Sequence, residues 1–125
     1  MPRIAFRVCG THPVGVDDPE VDRWCKAVTD VEAHYKSKAY GVVRSTEFMV
    51  YLVFYVAHGK QNLNDLAKPV LNTMFEPGGT NDNAAAAGEV LFPGVNQEKI
   101  NHIALRKREV ESFREQGVDV TVVWE

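Results

Sequence analysis

The stretch Glu47-Phe48-Met49-Val50-Tyr51-Leu52-Val53-Phe54-Tyr55-Val56-Ala57 sets the architecture of this chain. Phe48, Val50, Leu52, Phe54 and Val56 alternate with Met49, Tyr51, Val53 and Tyr55, the two-residue period of a β-strand built from branched and aromatic residues. Because both sets are apolar, the pattern predicts a central strand that is either covered on both faces or offers its second face to a dimer contact. Next outward, His58-Gly59-Lys60-Gln61 breaks the strand, and Leu63, Leu66, Ala67, Val70, Leu71 and Met74 then recur with helical spacing. A helix is expected from about Asn64 to Phe75, which Pro69 bends slightly without ending it.

Towards the N-terminus, Ile4, Phe6 and Val8 alternate with Ala5, Arg7 and Cys9 as in a half-buried strand, and Gly10 to Gly15 is rich in turn residues. Asp18 reads as an N-cap with Pro19 at the first helical position, and Val21, Trp24, Cys25, Val28, Val31 and Tyr35 form the apolar stripe of a helix running to about Lys36. Trp24 is assigned to the core, and Asp22, Lys26, Asp30 and Glu32 to a solvated face. Towards the C-terminus, Gly, Pro, Asn and Ala dominate from Glu76 to Gln97, a long mobile loop by composition. Strands follow at Ile100 to Arg106 and Val118 to Trp124, joined by a charged segment with room for a helical turn. The order β-α-β-α-β-β, without repeats or a linker, predicts a single α/β (α+β) domain over 1–125: a mixed sheet with two main helices packed on it.

A chain of 125 residues, 45% apolar and 25% charged, can bury one core. A formal charge of −3 argues against coating nucleic acid by bulk electrostatics, so any DNA contact has to be focused on a local patch. No leader pattern and no long apolar run is present, which predicts a cytoplasmic protein without a membrane partner. Cys9 and Cys25 are expected as reduced thiols near the core, and with His12 and His34 they make no zinc spacing. His58 and His102 lack a partner at ligand spacing and receive no catalytic role.

The chemistry lies in Asn62-Leu63-Asn64-Asp65-Leu66-Ala67-Lys68-Pro69-Val70-Leu71-Asn72-Thr73-Met74, followed after the loop by Asn96-Gln97-Glu98-Lys99-Ile100. These segments resemble the signature of the RusA family of Holliday-junction resolvases, Asp-x-Asp-Asn-x-x-Lys-Pro-x-x-Asp-x-φ and then Asp-Asp-x-x-Ile. The element order agrees over nearly the whole chain. The resemblance implies a RusA-like fold, homodimers, DNA binding at four-way junctions, and magnesium-dependent endonuclease activity in recombination and repair, as carried by phages and other mobile elements.

The family's acids have become amides here. Asn62, Asn64 and Gln97 stand where the resemblance puts metal-binding carboxylates, and Lys68 matches the lysine that neutralises the scissile phosphate. A hard divalent cation needs anionic oxygens both to bind and to activate water. One unit charge pair at ~4 Å is worth roughly 4 kcal/mol at an effective dielectric near 20, and an amide oxygen forfeits that attraction. Asp65 and Glu98, next in sequence to the lost ligands, are the replacement candidates, with Asp82 and Glu89 on the loop. A ligand moved one position along a helix start, however, turns its side chain by about 100°. Asn62 and Asn64 also suit a helix N-cap, and Asp65 the positive end of the helix dipole.

For a DNA contact the basic candidates are Lys60, Lys68, Arg106 and Arg108, with Arg44, Lys99 and Lys107 as further cations. Three functions are therefore expected in competition. The first is a RusA-like junction-binding protein whose nuclease centre is impaired; the second is an active Mg- or Mn-dependent endonuclease using Asp65 and Glu98. The third is a small protein- or ligand-binding module on the same scaffold.

Overall fold

The computed structural model describes residues 2–39, 42, 47–57, 61–76 and 90–125. The elements are β1 (Arg3–Cys9), α1 (Val21–Glu32), a 3₁₀ turn (Ala33–Tyr35), α2 (Lys36–Ala39) and β2 (Phe48–Val56). They continue with α3 (Leu63–Met74), β3 (Phe75–Glu76), β4 (Phe92–Asn96), a 3₁₀ turn (Gln97–Lys99), β5 (Ile100–Glu109), a 3₁₀ turn (Phe113–Glu115) and β6 (Gly117–Trp124). The fold is mixed α+β. Its main sheet has the order β1-β6-β2-β5, with β6 antiparallel to both neighbours and β5 parallel to β2. The parallel pair requires a crossover, which the segment holding α3 supplies.

One face of the sheet carries the core. Ile4, Phe6 and Val8 of β1, the five even-numbered β2 residues from Phe48 to Val56, and Val118, Val120, Val122 and Trp124 of β6 are buried on it. Against them pack Trp24 and Val28 of α1 and Leu66, Ala67, Val70 and Met74 of α3. At the Phe48 end, Phe48, Phe75, Phe92 and Trp124 form an aromatic cluster with centroid separations from 5.0 to 6.4 Å. Edge-to-face and offset ring pairs of this kind add to the area they bury.

Trp24 is in the core, 1% exposed, but four expectations need correction. The first helix begins at Val21, not Pro19, because the Asp18 carboxylate accepts from the Glu20 N–H at 2.8 Å and holds a turn ahead of the helix. Glu32 is buried at 1% exposure, not solvated, since Trp24, Val28 and Glu32 follow one another at i, i+4 and share the face turned to α3. Cys9 lies on the exposed side of β1 and only Cys25 is half-buried; both are free thiols. The 76–97 segment is not wholly loop, for β3 and β4 pair in parallel at its ends and Val90, Leu91, Phe92 and Val95 are buried. Residues 77–89, with Asp82 and Glu89, lie outside the described residues.

β2 is central, but only one of its faces is buried by the described residues. Tyr51 is 37% exposed, and Met49, Val53 and Tyr55 are half-buried. Among the described residues, no helix is long and apolar enough to cross a membrane.

Candidate functional site

The β2–α3 junction positions the motif. Asn62 takes an extended conformation and its side-chain oxygen accepts from the Asn64 N–H at 2.8 Å, satisfying one of the orphan donors of the first turn. Asp65 sits in that turn at the positive end of the helix dipole. Just upstream, Lys107 of β5 donates to the Gln61 carbonyl at 2.6 Å, which ties the start of α3 to the sheet. Pro69 lies inside α3 without ending it. Its ring removes one donor, so the Asp65 carbonyl loses its i+4 partner.

The capping geometry makes a simple prediction. Asn62→Ala should cost about 1 kcal/mol, read as a lower denaturant midpoint, whereas Asn62→Asp keeps a capping oxygen and should hold or slightly raise stability. An unchanged midpoint in Asn62→Ala would contradict the cap.

Asn64, Lys68 and Asn72 recur at i, i+4 and i+8, so they form one stripe along the outer side of α3. At its far end Gln97 Nε2 donates to Asn72 Oδ1 at 2.9 Å, which joins the two halves of the motif across 25 residues. Asn96 caps the turn that carries Gln97 by accepting from the Glu98 N–H at 2.8 Å. Sequence reasoning gave Asn72 no role; its spacing from Lys68 was the available signal.

Not all the candidates come together. Eight residues of helix, about 12 Å at ~1.5 Å per residue, separate Asn64 from Asn72 and hence from Gln97. Asp65 is at the start of α3, and Glu98 follows Gln97 at its end, so these two carboxylates do not share a site. Mg²⁺ is usually held by one or two carboxylates together with waters and substrate phosphates, and among the described residues of the motif no two carboxylates meet at one point. Asn62 spends its oxygen on a backbone N–H, Asn72 accepts from Gln97, and no group of three His, Cys, Asp or Glu converges among the described residues.

The expected DNA-contact cations are also divided. Lys68 is on α3, whereas Arg106 and Arg108 of β5 pair with Val53 and Tyr55 and so emerge on the opposite face of the sheet, on which none of the described elements packs. Lys60, with Arg44 and His58, lies outside the described residues.

Sequence reasoning missed a second polar cluster, at the carboxyl ends of β1 and β2. Gln116 is buried, and its Oε1 accepts from the Ala57 N–H at 3.0 Å and lies 2.7 Å from His12 Nδ1. Since that oxygen only accepts, His12 carries its proton on Nδ1, and Nε2 is left to accept from Gln61 Nε2 at 3.1 Å. The network fixes the Gly10–Gly15 loop beside α3, where Gly15 approaches so closely that a Cβ would meet Asp65 Cβ at 3.3 Å. It forms one wall of a cleft of about 320 Å³ that Arg23, Trp24 and the exposed Phe113 complete. The ring nitrogens of His12 are both occupied, which makes it a positioning residue for this loop.

No protein-family model matches this chain, and no curated protein sequence matches it significantly.

Proposed function

We propose that this protein is a DNA-binding protein on a RusA-like scaffold, which grips branched DNA such as a four-way junction as a homodimer and does not cut it. The observation behind this reading is the 2.9 Å amide-to-amide hydrogen bond between Gln97 and Asn72. Two carboxylates that close would repel unless a cation or proton lay between them; two amides hold each other without either. The motif's geometry is thereby kept at zero charge, and Lys68 supplies the cation of the α3 stripe, suited to a phosphate. A protein of this kind works where DNA is, which for a phage or mobile-element product is the cytoplasm.

The test is a labelled synthetic four-way junction at low salt, with and without manganese or magnesium. Binding without nicking is expected. Nicking by the unaltered chain would instead establish an active endonuclease that takes its metal ligands from elsewhere in the chain. Absence of any DNA binding at low salt would leave the scaffold as a protein- or ligand-binding module.

Within this reading Lys68→Gln should weaken junction binding and reduce the slope of log K against log salt by about one, the signature of one phosphate left without its cation. An unaltered slope would remove Lys68 from the interface.

A further inference from the structure

The face of the main sheet opposite the helices is a regular grid, and among the described residues no element packs on it. Its rows, read from β1 through β6 and β2 to β5, are Arg3-Val123-Met49-His102 and Ala5-Thr121-Tyr51-Ala104, then Arg7-Asp119-Val53-Arg106 and Cys9-Gly117-Tyr55-Arg108. Apart from the glycine position, none of these residues is fully buried. Tyr51 stands between Ala104 and Thr121, and Tyr55 between Arg108 and Gly117, so both rings have at least one small neighbour.

The charge on the face is one-sided. Its four rows carry four arginines and one aspartate, a formal +3 on a chain whose total is −3, while Glu47 and Glu125 pair just beyond the first row and leave the positive charge concentrated towards Arg106 and Arg108. The single acid is already neutralised: Arg7 chelates Asp119 at 2.5 and 2.8 Å, and Tyr55 donates to the same carboxylate at 2.8 Å. Arg7 also lies over the Tyr55 ring, 5.1 Å from its centroid, which holds that ring in place. Arg3, Arg106 and Arg108 have no carboxylate partner among the described residues.

From this arrangement we infer that the open sheet face is a binding platform for single-stranded DNA, with a base stacked on Tyr51, a second on the side of the Tyr55 ring that Arg7 leaves free, and the phosphate backbone held by Arg3, Arg106 and Arg108. Sheet-borne aromatic rings flanked by cations recognise unpaired bases because every base offers a π-face and every linkage a negative charge. Four strands span about 14 Å across, and Tyr51 and Tyr55 are about 13 Å apart along the strand, enough for more than one stacked base. A second copy of the chain fits less well, since face-to-face pairing would set one +3 surface against another. The inference rests on the reading of the chain as a DNA-binding protein and adds to it a second contact surface, distinct from the α3 stripe, for an unpaired strand at a branch.

The experiment compares a labelled oligothymidine with a fully paired four-way junction by fluorescence anisotropy, using the full chain and Tyr51→Ala, Tyr51→Phe and the Arg106→Gln/Arg108→Gln pair. Tyr51 is partly exposed, so circular dichroism and melting should show each variant folded. Oligothymidine binding is expected to weaken roughly tenfold or more in Tyr51→Ala and to survive in Tyr51→Phe. The arginine pair should lower the salt slope by about 0.7 for each phosphate left without its cation. Junction binding with no affinity for oligothymidine, or equal oligothymidine binding by Tyr51→Ala, would overturn the platform while leaving the α3 reading in place. No binding to either DNA would overturn both. A concentration-dependent dimer abolished by Tyr51→Arg would assign the face to a second copy instead.

Discussion

Gly117→Ala is expected to destabilise the protein by about 3–5 kcal/mol, enough to lower the melting temperature by roughly 10–20 °C. Gly117 opens β6 opposite Cys9 with φ +152°, a conformation that L side chains rarely adopt. A Cβ there would overlap the Val8 carbonyl oxygen and come within 2.9 Å of Cys9 Cα. Both obstacles are backbone, so neither can swing aside, and relief requires opening the β1–β6 ladder at its first pair. The adjoining Gly10 N–H to Gln116 carbonyl bond at 2.8 Å, which anchors the His12 loop, would be strained with it. Thermal unfolding followed by circular dichroism measures the effect; a shift of only a degree or two would show that β1 can move away freely.

Glu32→Gln should act in the opposite direction, and only above mild acidity. The Glu32 carboxyl is buried between α1 and α3, and loss of hydration raises its pKa to about 8, against smaller opposing effects of the Thr73 hydroxyl and Lys36. Geometry supports a neutral carboxyl independently. Thr73 Oγ1 lies 2.7 Å from both Glu32 Oε2 and the Val70 carbonyl, yet a hydroxyl has one proton. Both contacts are made together when Glu32 donates to Thr73 and Thr73 donates to Val70. Glu32 Oε1 has no hydrogen-bond partner among the described residues.

In the unfolded chain the same carboxyl ionises near pH 4.5, so between there and about pH 8 the folded state binds more protons. Stability from this group is therefore complete below about pH 4.5 and falls as the pH rises towards 8. At about 1.4 kcal/mol per pH unit, the loss approaches roughly 5 kcal/mol. Glutamine reproduces the neutral donor, so Glu32→Gln should match the parent at about pH 4.5 and exceed it by up to that amount at about pH 8.5. Denaturant unfolding at the acidic and the alkaline end of this window tests the effect, and a parent protein equally stable at both would refute it. Asp119 lies in a different window: Arg7 holds its pKa below the usual carboxylate range, so its contribution is lost only as the pH falls through still lower values.

Much of the architecture was legible before any tertiary information. β2 and α3 announce themselves because the 2.0 and 3.6 periods are local properties of backbone geometry, and Asn62 caps its helix through a neighbour two residues away. Asn64 and Lys68 are candidates by motif and spacing, whereas Asn72 joins their stripe only through its bond to Gln97. What spacing could not show is which apolar face of β2 the helices would choose. The residues of both faces are hydrophobic, and covering one of them is a decision of packing between distant elements.

Residue type and local spacing were enough to define the mixed α+β class, the main helices and strands, and the amides that line the motif, because these depend on contacts a turn or a strand-pair apart. Only the folded arrangement brought Glu32 to Thr73 across 41 positions and Gln97 to Asn72 across 25, and put Arg106 and Arg108 on one face with Tyr51 and Tyr55, not with Lys68. Burial, pKa and surface charge are properties of neighbours in space, and strand order and register choose those neighbours.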